Sequence, residues 1–187
     1  MSRRLPHGKN GKRTNAMKEY MVKYYLSEQN WAILVGVAGI VLLIMGITLW
    51  RTSETNSLNR GIGYALLAGG IFFAAAGTGV AIYNRTKAVE IEKIVHIDDT
   101  ETKTSETVRM ENVMSSSYKG AIIMFTSCII LGLVAILLLG HNPVIRGVGL
   151  GLLLFGTIGH ITESYSMKRN NAYLNEVKEY KIQSEIN

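Results

Sequence analysis

Thr157, His160, Glu163 and Ser164 form the sharpest chemical constellation in this sequence. At helical spacing they make a polar stripe. A histidine and a carboxylate three residues apart can share a proton or a hydrogen bond on one helix face. The stripe lies toward the far end of an apolar segment, with His160 thirteen residues beyond Gly147, about 20 Å along a helix. Ionisable groups at such depth in a membrane are costly and face a cavity or a partner. Two readings follow from the spacing. Either the stripe lines a cavity or path, or the helix ends near His160 and leaves both groups at the wet interface. At an offset of 86 residues the counterparts of His160 and Glu163 are Ala74 and Gly77, so any special chemistry belongs to one half of the chain.

The elements that must position this stripe are visible in the distribution of charge. Trp31 to Trp50, Gly61 to Tyr83, Gly120 to Leu139 and Gly147 to Ile161 are almost free of Asp, Glu, Lys and Arg. About twenty such residues cross a hydrocarbon layer of ~30 Å as a helix. The last segment reaches that length only with Thr162 to Tyr165. Polar alternation is lacking, which excludes membrane strands. In lipid a helix satisfies its own backbone groups, so four transmembrane helices are expected. Lys and Arg number seven before Trp31, six between the second and third spans and four after the last, against two and one in the other connections. Seventeen against three predicts that both termini and the central segment are cytoplasmic.

The four spans read as two duplicated hairpins. Arg60-Gly61-Ile62-Gly63 and Arg146-Gly147-Val148-Gly149 each open a glycine-rich apolar run, and six of the twelve pairs from Arg60/Arg146 to Ile71/Thr157 are identical. Both copies begin and end on the same side, as in a parallel repeat. The fold class expected is therefore an all-α integral membrane bundle, N-in and C-in, with amphipathic cytoplasmic helices.

Small residues mark the expected packing faces. Gly39 and Gly46 on the first span, Gly70 and Ala74 on the second, and Gly147, Gly151 and Gly156 on the fourth would let another backbone approach closely. Contact between the second and fourth spans would bury the thin faces of both. Outside the spans, residues 1–16 are basic and acid-free, the composition of a disordered arm. Residues 17–30 place Met17, Tyr20, Met21, Tyr24 and Tyr25 near one face, which suits an interfacial helix. The spans group as hairpins over 31–83 and 120–165. The cytoplasmic segment 84–119 is expected to continue the second helix and then, from Asp98 to Glu106, become a polar loop. Residues 166–187 suggest an amphipathic helix.

These features exclude some functions and leave others. There is no paired metal-ligand motif, since His96 with Asp98 and Asp99 offers one histidine among acids. No phosphate loop or nucleophile-base-orienter set is present, so no enzyme activity, metal or cofactor is expected. Topology accounts for the isoelectric point of about 9.4, so a nucleic-acid partner is not expected. The lone Cys128 excludes an intrachain disulfide. With neither a cleavable signal nor a disulfide framework, a bacterial inner (plasma) membrane is the expected location. The first expected function is helix-helix association with another membrane protein, as an assembly subunit or an immunity protein against a membrane-inserting toxin. The alternative is a homo-oligomeric transporter or channel for a small solute or ion. Membrane lipids are partners in either case.

Overall fold

A computed structural model describes residues 10–93 and 99–180 of the 187-residue chain. It consists of α1 (Asn10–Thr52), α2 (Leu58–Lys93), α3 (Asp99–Asn112), a π-helical turn (Val113–Ser117), α4 (Tyr118–Leu139) and α5 (Pro143–Glu179). No strand occurs among the described residues. Four helices are long and apolar enough to cross a membrane. At ~1.5 Å per residue, the 43 residues of α1 extend about 65 Å, twice a hydrocarbon core, so its polar first half projects beyond any bilayer.

Several boundaries depart from the sequence expectation. Part of the expected arm over 1–16 is helical, because α1 begins at Asn10; residues 1–9 lie outside the described residues. The expected interfacial helix over 17–30 is the early part of α1, which continues into the span as one helix. Asp99 to Glu106 belongs to α3 and not to a loop, while His96 and Asp98 lie outside the described residues. The span carrying His160 does not stop there: α5 runs unbroken to Glu179 and absorbs the expected C-terminal helix. The physical cause is shared. Each polar extension has an apolar stripe, and the stripes of α1, α2, α3 and α5 bury one another beyond the apolar zone.

Turn chemistry fixes the two short connections. Asn142 caps α5: its side-chain oxygen accepts from the backbone N–H of Val144 at 2.9 Å and of Ile145 at 3.3 Å, and Pro143 fills the first helical position. At the start of α2 the Ser57 hydroxyl accepts from the Arg60 N–H at 3.3 Å. The Arg60 guanidinium donates to the Ser53 carbonyl and lies 5.9 Å from the Trp50 ring centre.

The helices form a row, α1 on α2, α2 on α5, α5 on α4. Glycines set each approach. In the α1/α2 seam a Cβ on Gly39 would strike the backbone of Phe73 and Ala74, one on Gly77 the backbone of Gly36, and one on Gly70 would meet the Gly39 carbonyl at 2.9 Å. A Cβ on Gly46 would meet the Leu67 backbone nitrogen at 2.9 Å. In the α4/α5 seam Gly132 and Gly149 each face the other's carbonyl, at 2.7 and 2.8 Å from an added Cβ, and Gly156 faces the Phe125 carbonyl at 2.7 Å. Between α2 and α5, Gly61 faces the Val144 carbonyl and Gly147 faces the Leu58 carbonyl, while Gly151 packs on the Ala65 methyl. Leu58 and Val144 are 86 residues apart, as are Gly61 and Gly147, and Gly46, Gly63 and Gly70 stand in the same relation to Gly132, Gly149 and Gly156. The contacts are thus reciprocal, as across a two-fold axis.

Candidate functional site: a cavity between the hairpins

Close approach of α2 and α5 is confined to the end that carries the short connections. One turn beyond Ala65 and Gly151 the glycine at 69 receives the Phe155 ring, 2.7 Å from an added Cβ, and bulk replaces backbone contact. All four phenylalanines of the chain gather there: Phe73 lies 5.0 Å from Phe155, Phe125 5.5 Å from Phe155, and Phe72 5.7 Å from Phe155 between ring centres. Past this plug a cavity of about 160 Å³ opens between all four long helices. Helix α1 contributes Glu28, Trp31 and Val35, α2 contributes Phe72, Phe73 and Val80, α4 contributes Met124 and Phe125, and α5 contributes Thr162, Glu163 and Ser166.

Two carboxylates therefore share one mostly apolar chamber. Glu28 is buried, and its Oε1 lies 2.8 Å from Arg169 Nη2. That approach is not aligned as a hydrogen bond, so the oxygen accepts none. The same guanidinium group donates to the Ser27 hydroxyl at 2.9 Å and sits 5.8 Å from the Tyr165 ring centre, and Tyr165 in turn packs on Trp31 at 4.8 Å. Glu163 is partly buried, and among the described residues no Lys, Arg or His forms an ion pair with it.

The four residues of the polar stripe are thereby separated. Only Glu163 lines the cavity. His160 turns toward α4, where its Nε2 and the Thr126 hydroxyl are hydrogen-bonded at 3.0 Å. Thr157 and Ser164 are exposed on the outer surface of the bundle. Sequence reasoning passed over Glu28 and Arg169 because they precede the first apolar span and follow the last. Only the Glu-x-x-Trp sequence running into a span hinted that a carboxylate stands at its edge.

Beyond the cavity lies the densest part of the molecule. Met17, Met21, Tyr25, Ala88, Ile91, Met110, Tyr173, Leu174 and Val177 form one buried cluster. Tyr24 stacks on Tyr173 with ring centres 3.6 Å apart. Buried Glu106 accepts from the Tyr173 hydroxyl at 2.8 Å, from the Tyr25 hydroxyl at 3.1 Å, and from Arg109 Nη2 and Nε at 2.6 and 2.9 Å. A fork of this kind satisfies both carboxylate oxygens at once. Tyr24 donates to the Asn170 side-chain oxygen at 2.6 Å, Asn170 donates to the Tyr118 hydroxyl, and Tyr118 meets Ser166 at 2.8 Å. This network reaches the cavity through Ser166 and ties α3 and α4 to α1 and α5.

No family model, curated protein or solved structure matches the chain. Its class rests on the fold: four apolar helices of spanning length fit a multi-pass membrane protein.

Proposed function

We propose that this protein binds a small solute in the cavity between its hairpins and works as a homo-oligomeric membrane transporter or carrier. The carrying observation is the chamber itself. Four helices leave a space lined by Glu163 and Glu28 at a depth where a bundle built only for packing would bring side chains together. The aromatic plug and the Gly61/Gly147 approach close the chamber toward the short connections, so access is from the other end or from the side. The seventeen-to-three distribution of Lys and Arg supports a cytoplasmic location for the end bearing α3 and both termini, in a bacterial inner or plasma membrane. Sequence identity and reciprocal contacts at the 86-residue offset support descent of the two hairpins from one duplicated unit.

Association with another membrane protein, including an immunity role, ranks second. Its sequence basis was the glycine faces, and Gly39, Gly46, Gly70, Gly147, Gly151 and Gly156 all pack within the chain. A foreign helix would have to use side chains that otherwise meet lipid.

Thermal unfolding of the purified protein against a panel of small anions, cations and neutral solutes tests the proposal. A ligand present at a hundred times its Kd stabilises the folded state by about 2.7 kcal/mol. At least one solute should raise the unfolding temperature of the wild type and not that of Ala76→Phe, which adds a ring at a position lining the chamber. No shift with any solute, or equal shifts in both proteins, would reject the reading.

A further inference from the structure

We infer that the cavity takes a hydrophobic organic monocation, an ammonium group carried on a compact apolar or aromatic body; this rests on the binding role proposed above and names its ligand class. Charge balance comes first. Two carboxylates line the chamber, and the Arg169 guanidinium group, outside the lining, is committed to Glu28, Ser27 and the Tyr165 face. Glu163 is left with no cationic partner among the described residues, and His160, on the same helix, is engaged with Thr126. One carboxylate is therefore left without a cationic partner. A carboxylate partly withdrawn from solvent among apolar side chains gains from an incoming cation, because part of its own solvation is already lost.

The walls choose among cations. Trp31, Phe72, Phe73 and Phe125 present aromatic surface, which attracts a weakly hydrated ammonium through the ring quadrupole. A metal ion would demand several oxygen, nitrogen or sulfur ligands, and no three His, Cys, Asp or Glu gather anywhere among the described residues. An anion would face two carboxylates. A neutral polar solute would lose its hydrogen bonds to phenylalanine. Glu28 adds a second carboxylate to the lining, with its Oε1 buried and 2.8 Å from Arg169 Nη2. A quaternary ammonium would be held by Glu163 and the rings.

The test compares benzyltrimethylammonium with neopentylbenzene, its uncharged isostere, in protein reconstituted into lipid nanodiscs. Trp50→Phe leaves Trp31, on the cavity wall, as the only tryptophan, and Ala76→Phe on that background measures uptake into lipid alone. Benzyltrimethylammonium should change Trp31 emission saturably and at least tenfold more tightly than neopentylbenzene, with the response abolished by Ala76→Phe. Glu163→Gln should lower the affinity for the cation at least tenfold and leave that for the isostere unchanged. Equal affinity for both probes, or undiminished cation binding by a folded Glu163→Gln protein, overturns the cation inference while the cavity stays a binding site. Saturable binding of neither probe overturns the inference; if the solute panel also fails, the binding role falls with it. Should Glu163→Gln not fold, the two isosteres on the otherwise intact chain decide the matter.

Discussion

The apolar zone and the end that carries α3 are built on opposite principles. In the apolar zone most large side chains outside the phenylalanine plug point outward: Leu137 and Leu138 are 77 and 72% exposed, and only 11% of the most apolar stretch of the α4 span is buried inside the protein. Contact at the seams there is backbone against backbone, at glycine. At the α3 end the large side chains point inward, with Met110 wholly buried and Tyr25 and Tyr173 nearly so. The cause is the solvent. In water, burying Met and Tyr releases about 25 cal/mol per Å² of apolar area. In lipid the same burial gains little, because acyl chains are as apolar as leucine, and close packing of small residues takes over. The cavity lies where one regime gives way to the other, and there neither principle fills the space.

If the comparison holds, the greatest loss of stability should come from the α3 end. Glu106→Ala removes the acceptor of two phenols and one guanidinium group together, and breaking a buried ion pair from one side costs about 3–5 kcal/mol. Denaturant unfolding in detergent, followed by tryptophan emission, should show that loss; a loss under about 1 kcal/mol would mean that the α3 cap does not hold the hairpins together.

Gly39→Ala should come next. Its methyl group would meet the Phe73–Ala74 backbone, which no rotamer change can relieve, and overpacking of this kind costs about 1–3 kcal/mol. The same measurement applies, and an unchanged midpoint would remove the glycine seam from the comparison.

The smallest effect sharpens the distinction between lipid-facing and seam positions. Around Gly79 and Gly120 nothing lies within 4 Å of an added Cβ, so alanine there should be neutral or stabilise by up to about 1 kcal/mol through helix propensity. Measurable destabilisation at either site would mean that the outer surface is covered by protein and not lipid, which would revive association with a partner.

Much of the scaffold is legible without coordinates, since charge-free segments of about twenty residues declare their solvent one at a time. The polar stripe is less legible. Thr157, His160, Glu163 and Ser164 share a helix by spacing, yet Glu163 faces the chamber, His160 faces Thr126 and the other two face outward. A helical face is too wide for spacing alone to say which neighbour each member meets. Asp98 to Glu106 reads as a loop because it is wholly polar; what makes Asp99–Asn112 a helix with a buried side is Met110 and Glu106 finding Tyr25 and Tyr173, more than sixty residues away in the chain on either side.

By itself the sequence determines the number and extent of the apolar spans, their charge asymmetry and the 86-residue correspondence of the hairpins, because each is a property of a segment and its solvent or of one segment compared with another. The tertiary structure alone decides that the seam glycines pack inside the chain, that the four phenylalanines meet, and that Glu28 and Glu163, 135 residues apart, share one chamber. Those facts depend on which helices are neighbours. Within a membrane, a face that meets lipid and one that meets another helix can carry the same apolar residues, so hydropathy leaves no record of the choice.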